Sequence, residues 1–335
     1  MNEVWEALTA NVNVVSLLAE GLPPKAASTW YTPAWASLMG RLEELEISMW
    51  YGDNGAGWMS NTLENYIDFE SRRLREYFLQ HCRRLRRLRL VAGPQTGFGD
   101  ASGLDNFNGP LPLEQGDLPA LRRLELKNLF VSEQLALFIL RTDEAERSGQ
   151  AESGDKSDRE CNQDQEERIP GPCEALRSLQ VLNCHVHPRS TIGTWAVFFD
   201  MLRTGQQAGG RRHGRHELCE LDVTYRYGSE TIPWVHSHDE APWAWTVDRD
   251  THGADVTGDS EPGEPEEDER VLAIRSSERC AFSYALPTDK YGDVWLCCDE
   301  LFQAFERGND YRAYAALMDS VERNRVKGGS RDSGE

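Results

Sequence analysis

Two histidine pairs are the first places in this sequence where side-chain type and spacing could do chemistry. His185 and His187 flank Val186 beside Cys184, and His236 and His238 stand next to Asp239. Imidazole, thiolate and carboxylate are all zinc ligands, but a zinc site needs about four of them converging at consistent spacing. Cys184 falls on a repeat position that belongs to a core, which puts His185 and His187 on the solvent side. No metal ligand is assigned. Cys297 and Cys298 are adjacent and read as packing residues. The glycine-rich GDNGAGW (Gly52 to Trp58) lacks the Lys-Ser/Thr of a phosphate-binding loop. No G-x-S-x-G elbow occurs. With no catalytic or cofactor-binding constellation, the chain reads as a non-enzyme.

The basic stretch HCRRLRRLRLVAG, His81 to Gly93, poses a second question. Its arginines, Arg83, Arg84, Arg86, Arg87 and Arg89, could track phosphates. The leucines between them argue otherwise. Leu85, Leu88 and Leu90 spell L-x-x-L-x-L. The spacing returns at Leu42, Leu45 and Ile47, at Leu121, Leu124 and Leu126, at Leu176, Leu179 and Val181, and at Leu218, Leu221 and Val223. Such self-similarity marks stacked units, none of which can bury its apolar face alone. In a short strand alternate side chains point to opposite faces, so the second and third apolar residues enter a core together. The residues beside them point out. Arg87 and Arg89 are outward positions, and their counterparts are Glu44 and Glu46, Arg123 and Glu125, Ser178 and Gln180, and Glu220 and Asp222. A row mixing both signs does not suit a phosphate backbone. It suits a protein partner, so these ten residues form the candidate binding face and no nucleic-acid partner is expected.

The elements that must carry this row follow from the same spacing. The fourth copy runs on to Cys184 and Val186, completing L-x-x-L-x-L-x-x-[NC]-x-L. The third carries Leu129 and Val131 at those places. The copies begin at Leu42, Leu85, Leu121, Leu176 and Leu218, farther apart than the ~20–29 residues of a regular leucine-rich repeat. Helices and inserts must fill the difference. Trp195, Phe198, Phe199 and Leu202 share one helical face, with Ser190 or Thr191 as cap. Leu135, Phe138 and Ile139 share another, with Ser132 as cap, and Leu63, Tyr66, Ile67, Leu74 and Phe78 a third. Strand, helix, strand in one direction means a parallel sheet. The expected fold is α/β, an irregular leucine-rich-repeat-like open solenoid with parallel strands, outer helices and disordered acidic inserts.

Charge and composition place the boundaries. The 335 residues carry a formal net charge of −20 and a mean hydropathy of −0.61. Asp143 to Arg168 holds ten acids against four bases, and Asp248 to Arg270 ten against two. These two tracts thus account for −14 of the −20. Residues 143–172 and 248–270 read as disordered acidic insertions. Residues 1–38 read as an N-terminal helical cap, with Glu3 to Leu22 as one helix closed by Gly21, Pro23 and Pro24. The solenoid spans 39–235. Residues 271–326 read as a C-terminal capping segment ending in a helix whose stripe is Tyr311, Tyr314, Ala315, Met318 and Val321, and 327–335 as a disordered tail. Trp234, Trp243 and Trp245 are expected to cover the solenoid end. No secretory signal opens the chain, no apolar run approaches the ~20 residues of a membrane span, and the cysteines follow no paired spacing. An intracellular protein, cytoplasmic or nuclear, is expected.

The segments LPALRRLELKNLFVSEQLALFIL and ALRSLQVLNCHV, the latter followed by TWAVFFDMLR, resemble the C-terminal leucine-rich-repeat-like region of fungal F-box proteins. The resemblance spans about residues 39 to 325. It implies a substrate receptor of a cullin ubiquitin ligase, whose repeats present a target and whose F-box binds the ligase adapter. GLPPKAASTWYTPAW contains Leu22-Pro23 and Trp30, but too few residues and too many prolines for a complete F-box. The expected partner is therefore a protein or ubiquitination target, joined by the adapter only if a degenerate F-box exists. A stand-alone scaffold is the alternative, ahead of a metal-dependent enzyme.

Overall fold

In the computed structural model of the chain, the described residues are 2–50, 63–93, 99, 111–114, 116–140, 176–209, 218–224, 269–277, 279–287 and 294–329. The L-x-x-L-x-L copies form strands β2 (Glu44–Met49), β3 (Arg87–Val91), β4 (Arg123–Lys127), β5 (Ser178–Leu182) and β6 (Glu220–Thr224). They pair in parallel, in chain order and in phase. Leu45, Leu88, Leu124, Leu179 and Leu221 stand side by side in one row, and Ile47, Leu90, Leu126, Val181 and Val223 in the next. The first leucines of each copy, Leu42, Leu85, Leu121, Leu176 and Leu218, are also buried. Burial of each such side chain stabilises by ~2 kcal/mol, and a one-residue slip would turn both rows to solvent. The sheet is open, with apolar rows on the face that joins the helical core.

A further strand precedes these. Residues 3–22 do not form one helix. Helix α1 (Asn2–Ala10) stops, and Ser16–Leu22 becomes β1, paired in parallel with β2. The Asn11 side chain accepts from the Asn13 amide at 3.0 Å, a turn that competes with the helix. The β-branched Val12, Val14 and Val15 then favour extended chain. Leu17 and Ala19 pair with Leu45 and Ile47, so Val14, Leu17 and Ala19 are a degenerate first copy of the repeat. Leu22 and Trp30 are both buried parts of this unit. Trp30 joins Trp5 of α1, Trp35 of α2 (Pro33–Arg41) and Phe78 in one aromatic cluster, with ring centroids 5.0 to 5.9 Å apart.

The helical stripes appear with adjustments. Ser132 caps α5 (Glu133–Leu140), accepting from the Leu135 amide at 3.2 Å. Helix α6 (Trp195–Gly209) is capped by Thr194, not Ser190 or Thr191, because the turn through Gly193 delays its start. Its Trp195, Phe198, Phe199 and Leu202 are buried as expected. The helix carrying the third stripe is interrupted. Between α3 (Glu64–Asp68) and α4 (Leu74–Tyr77) lies a π-helical turn, Phe69–Arg73. Its wider turn brings Phe69 and Glu70 inward, while Tyr66, Leu74 and Phe78 of the expected stripe are buried and Leu63, at the start of α3, is 41% exposed.

Glu70 is fully buried, and among the described residues no close hydrogen bond reaches either carboxyl oxygen, the Tyr66 hydroxyl being the polar group that acts on it. Burial pushes its carboxyl well above the usual range, offset in part by the nearby Tyr66 hydroxyl. A raised folded value means that its contribution is fully present below the unfolded carboxylate range and is lost as pH rises. Glu70→Gln is therefore expected to gain stability over the wild type on going from pH 4 to pH 7. The gain should rise at no more than about 1.4 kcal/mol per pH unit, read from urea unfolding at each pH.

At the C-terminal end, helix α7 (Glu269–Ser276) starts inside the stretch assigned to the second acidic loop, because Ile274 anchors its apolar turn in the core. A hairpin of β7 (Ala285–Pro287) and β8 (Val294–Leu296) leads to α8 (Cys298–Arg307). Gly308, with φ +64°, turns the chain into α9 (Asn309–Gly329). That helix runs past residue 326, so 327–329 are not tail. Its core stripe is Ala313, Leu317 and Val321, with Tyr314 and Met318 packed at the rim. Of the expected stripe, Val321 is in the core and Tyr314 and Met318 line its rim, because the helix packs on the core through Ala313, Leu317 and Val321, spaced four residues apart. The remainder of the acidic tracts, 143–172 and 248–268, lies outside the described residues, as do Gly52 to Trp58 and Trp234, Trp243 and Trp245.

Candidate protein-binding surface

The in-phase register that buries the leucines also lines up the residues between them. Glu44 pairs with Arg87, Arg87 with Arg123, Arg123 with Ser178, and Ser178 with Glu220. One step along, Glu46, Arg89, Glu125, Gln180 and Asp222 form a second row. All ten candidate residues therefore share the face turned away from the helices. They do not share one environment. Glu44, Arg87, Glu220 and Asp222 are exposed, Glu46, Arg89, Arg123 and Gln180 are intermediate, and Glu125 and Ser178 are buried.

Glu125 is buried because three arginines close over it. Arg87 Nη2 lies 2.7 Å from Glu125 Oε1, Arg123 Nε 2.9 Å from the same oxygen, and Arg89 Nε 3.6 Å from Oε2. Arg89 also reaches Glu46 at 2.6 Å, and Arg123 Nη2 donates to Gln180 Oε1 at 3.1 Å. Neighbours on adjacent strands stand close enough for such ladders. The centre of the face is thus a fixed lattice whose charges largely satisfy one another. Its flanks, Glu44 on one side and Glu220 and Asp222 on the other, are acidic and exposed. The arginines that suggested a phosphate track are divided. Arg87 and Arg89 belong to the lattice, Arg86 faces Glu43 at 3.7 Å, and Arg83 and Arg84 are exposed on the approach to β3.

Sequence reading missed what ties the strand ends. Asn128 and Asn183 follow β4 and β5 at the same offset, both with positive φ (58° and 50°). Asparagine tolerates that region better than most residues. The Asn128 amide donates to Leu182 O and its side chain to Ala92 O at 2.8 Å, and the Asn183 amide donates to Thr224 O. The signal was present as L-K-N and V-L-N, one position before the Asn/Cys site.

His185 and His187 are not on the solvent side. They are buried between two segments: on one side the covering residues 281–287, where Val186 bridges to Tyr284 and Ser283 meets His185, and on the other His185 bridges to Phe130, whose ring also lies against His187. His185 Nδ1 lies 2.8 Å from Ser283 Oγ, and burial drives its pKa down to about 4. His187 Nδ1 accepts from the Arg189 amide at 3.1 Å. Cys184 is buried at its repeat position, and burial raises its thiol to about 12, as it does for Cys82 and Cys297. Thiols held protonated in this way are poor nucleophiles and metal ligands. Among the described residues no three His, Cys, Asp or Glu side chains converge on a metal position, and no helix is long and apolar enough to cross a membrane. His236 and His238 lie outside the described residues.

The same cover carries a buried polar network. Trp195 Nε1 donates to Ser283 O at 2.7 Å, the Tyr284 hydroxyl donates to Asp310, and Asp310 Oδ1 accepts from the Ala196 amide at 2.9 Å. Asp310 at the start of α9 thereby caps the N-terminus of α6, where a carboxylate complements the helix dipole. Comparison with protein-family models, curated proteins and solved structures returned no match.

Proposed function

We propose that the chain is an irregular leucine-rich-repeat-like solenoid that serves as a non-enzymatic protein-binding module, comparable to the substrate-recognition region of F-box ubiquitin-ligase receptors. The open sheet face carries this reading. Two rows of polar residues run across it in register, rigid at the centre and acidic at both flanks. Cross-strand ion pairs hold Arg87, Arg89, Glu46 and Glu125 in place, and Arg123 is held by Glu125 of its own strand and by Gln180 of the next, so docking there freezes few side chains and loses little entropy. The exposed Glu44, Glu220 and Asp222 suit basic groups on a partner.

Reversal of these three acids to lysine is the test. Affinity purification of the tagged chain from its source cells, with partners identified by mass spectrometry, should recover a protein that the triple variant captures at least ten times less well. Thermal melting should be unchanged, because exposed side chains without buried partners contribute little to stability. Equal loss of capture and of melting temperature would overturn the reading. The ligase connection is tested in the same experiment by co-purification of the adapter and cullin. A stand-alone scaffold is the second reading, favoured by the use of Leu22 and Trp30 as core residues of the first repeat. Recovery of a near one-to-one partner without adapter or cullin would establish it.

A further inference from the structure

The two edges of the sheet are finished differently. At β6, helix α9 lies against the strand, and Asn324 Nδ2 reaches both Leu218 O and Gln206 Oε1 at 3.3 Å. At β1, helix α1 packs on α2 and the short turn Ser28–Tyr31, and β1 is the terminal strand of the sheet. Val15 O accepts from the Glu43 and Glu44 amides of the β2 side. Backbone groups alternate sides along a strand. Val15, Leu17 and Ala19 therefore turn theirs toward β2, while Ser16, Leu18 and Glu20 turn theirs to the outer edge. These three residues are also exposed, Leu18 by 59%, with Val12 and Val15 exposed beside them. Natural edges are usually blunted by lysine, proline or a covering element. This one has a bulge at Gly21, which ends it after Glu20, and among the described residues none of those protections before it.

We propose that β1 pairs antiparallel with β1 of a second copy, centred on Leu18, joining two six-stranded sheets across a two-fold axis. The edge matches itself in this register. Leu18 exchanges both backbone hydrogen bonds with its symmetry mate, and Ser16 does so with Glu20 of the other copy, so all three outward residues are used. On the open face Leu18 meets Leu18, and the Ser16 hydroxyl meets the Glu20 carboxylate twice. Centring on Glu20 would oppose two like charges, and centring on Ser16 would leave Glu20 without a mate. On the core face Leu17 and Ala19 continue the apolar rows from one copy to the next. This inference does not depend on the proposed partner surface, which lies on the sheet face and not on its edge.

Sedimentation velocity of the full chain over a concentration series tests it. A monomer–dimer equilibrium is expected. Leu18→Lys places two cations together at the axis and should weaken the dimer at least tenfold. Ser16→Lys faces Glu20 of the other copy twice and should tighten it about tenfold, although it also neighbours Glu44, which the Ser16 hydroxyl contacts at 3.3 Å. Both positions are exposed, so circular dichroism should report an unchanged fold. In a chain with Cys161, Cys173 and Cys280 replaced by serine, Leu18→Cys should form an intermolecular disulfide on mild oxidation. Paired residues at ~5.5 Å lie within disulfide reach. A monomer at every concentration, a dimer indifferent to both lysine variants, or a dimer that Leu18→Cys does not crosslink would each overturn the proposal.

Discussion

Trp195→Ala is expected to lower stability by about 4 kcal/mol, enough to remove much of the margin of a typical domain. Trp195 opens α6, is 1% exposed, and stacks on Phe199 at 5.4 Å with Phe198 and Phe282 on its other sides. Truncation empties the space between α6 and the cover. It also strips Ser283 O of its indole donor, leaving that carbonyl with the Val186 amide alone. Trp195→Phe keeps most of the volume and loses the bond, so it should cost less, about 1–2 kcal/mol. Urea unfolding of the two variants separates the contributions. Equal losses would mean that the bond to Ser283 dominates. A loss under 1 kcal/mol for alanine would contradict the packing described.

Acid should weaken the fold through His185 by about 3 kcal/mol between pH 6.5 and pH 4. The ring is buried and neutral, and its folded value is depressed from 6.5 to about 4. Stability from the neutral ring is therefore fully present above the unfolded value. It falls as pH drops through that window, where the unfolded chain takes up a proton and the folded chain does not. Carboxylates titrate over the same range, so the measurement is a difference. His185→Gln can still bond Ser283 but does not titrate. Its unfolding free energy should fall less steeply than that of the wild type from pH 6.5 to 4. Parallel slopes would show that His185 is not the proton acceptor. Glu70 acts with the opposite sign, so Glu70→Gln and His185→Gln should change the pH profile in opposite directions.

Much of the architecture was legible in one-dimensional spacing. The L-x-x-L-x-L register located five strands, because an apolar residue at every second position has one way to face a core. The stripes of α5 and α6 were equally plain, because aromatic residues at i, i+3 and i+4 can share only one helical face. The first copy escaped notice. Ala19 and Val14 are weak apolar signals, and Trp5, Leu8 and Leu17 in the same stretch mimic a helix. The π-helical turn at Phe69–Arg73 escaped for a related reason. Regular periodicity assumes a regular helix, so it carries no signal for the one wide turn that also brings Phe69 and Glu70 into the core.

The candidate surface divides along the same line. The sequence by itself determined which residues share the outward face, since alternation is a property of the strand and needs no partner. It could not show that Glu125 is enclosed, because beside Arg123 of its own strand that depends on Arg87 and Arg89 arriving from β3, whose adjacency only the sheet creates. Nor could it place His185. Alternation sent that side chain outward, and outward meant solvent until residues 281–287, about a hundred positions later, folded across it. The Asp310 carboxylate that caps α6 is likewise a contact across 114 residues. Local spacing decides direction because it follows from backbone geometry. Burial, ion-pair partners and protonation depend on what lies in that direction, and long-range packing supplies it.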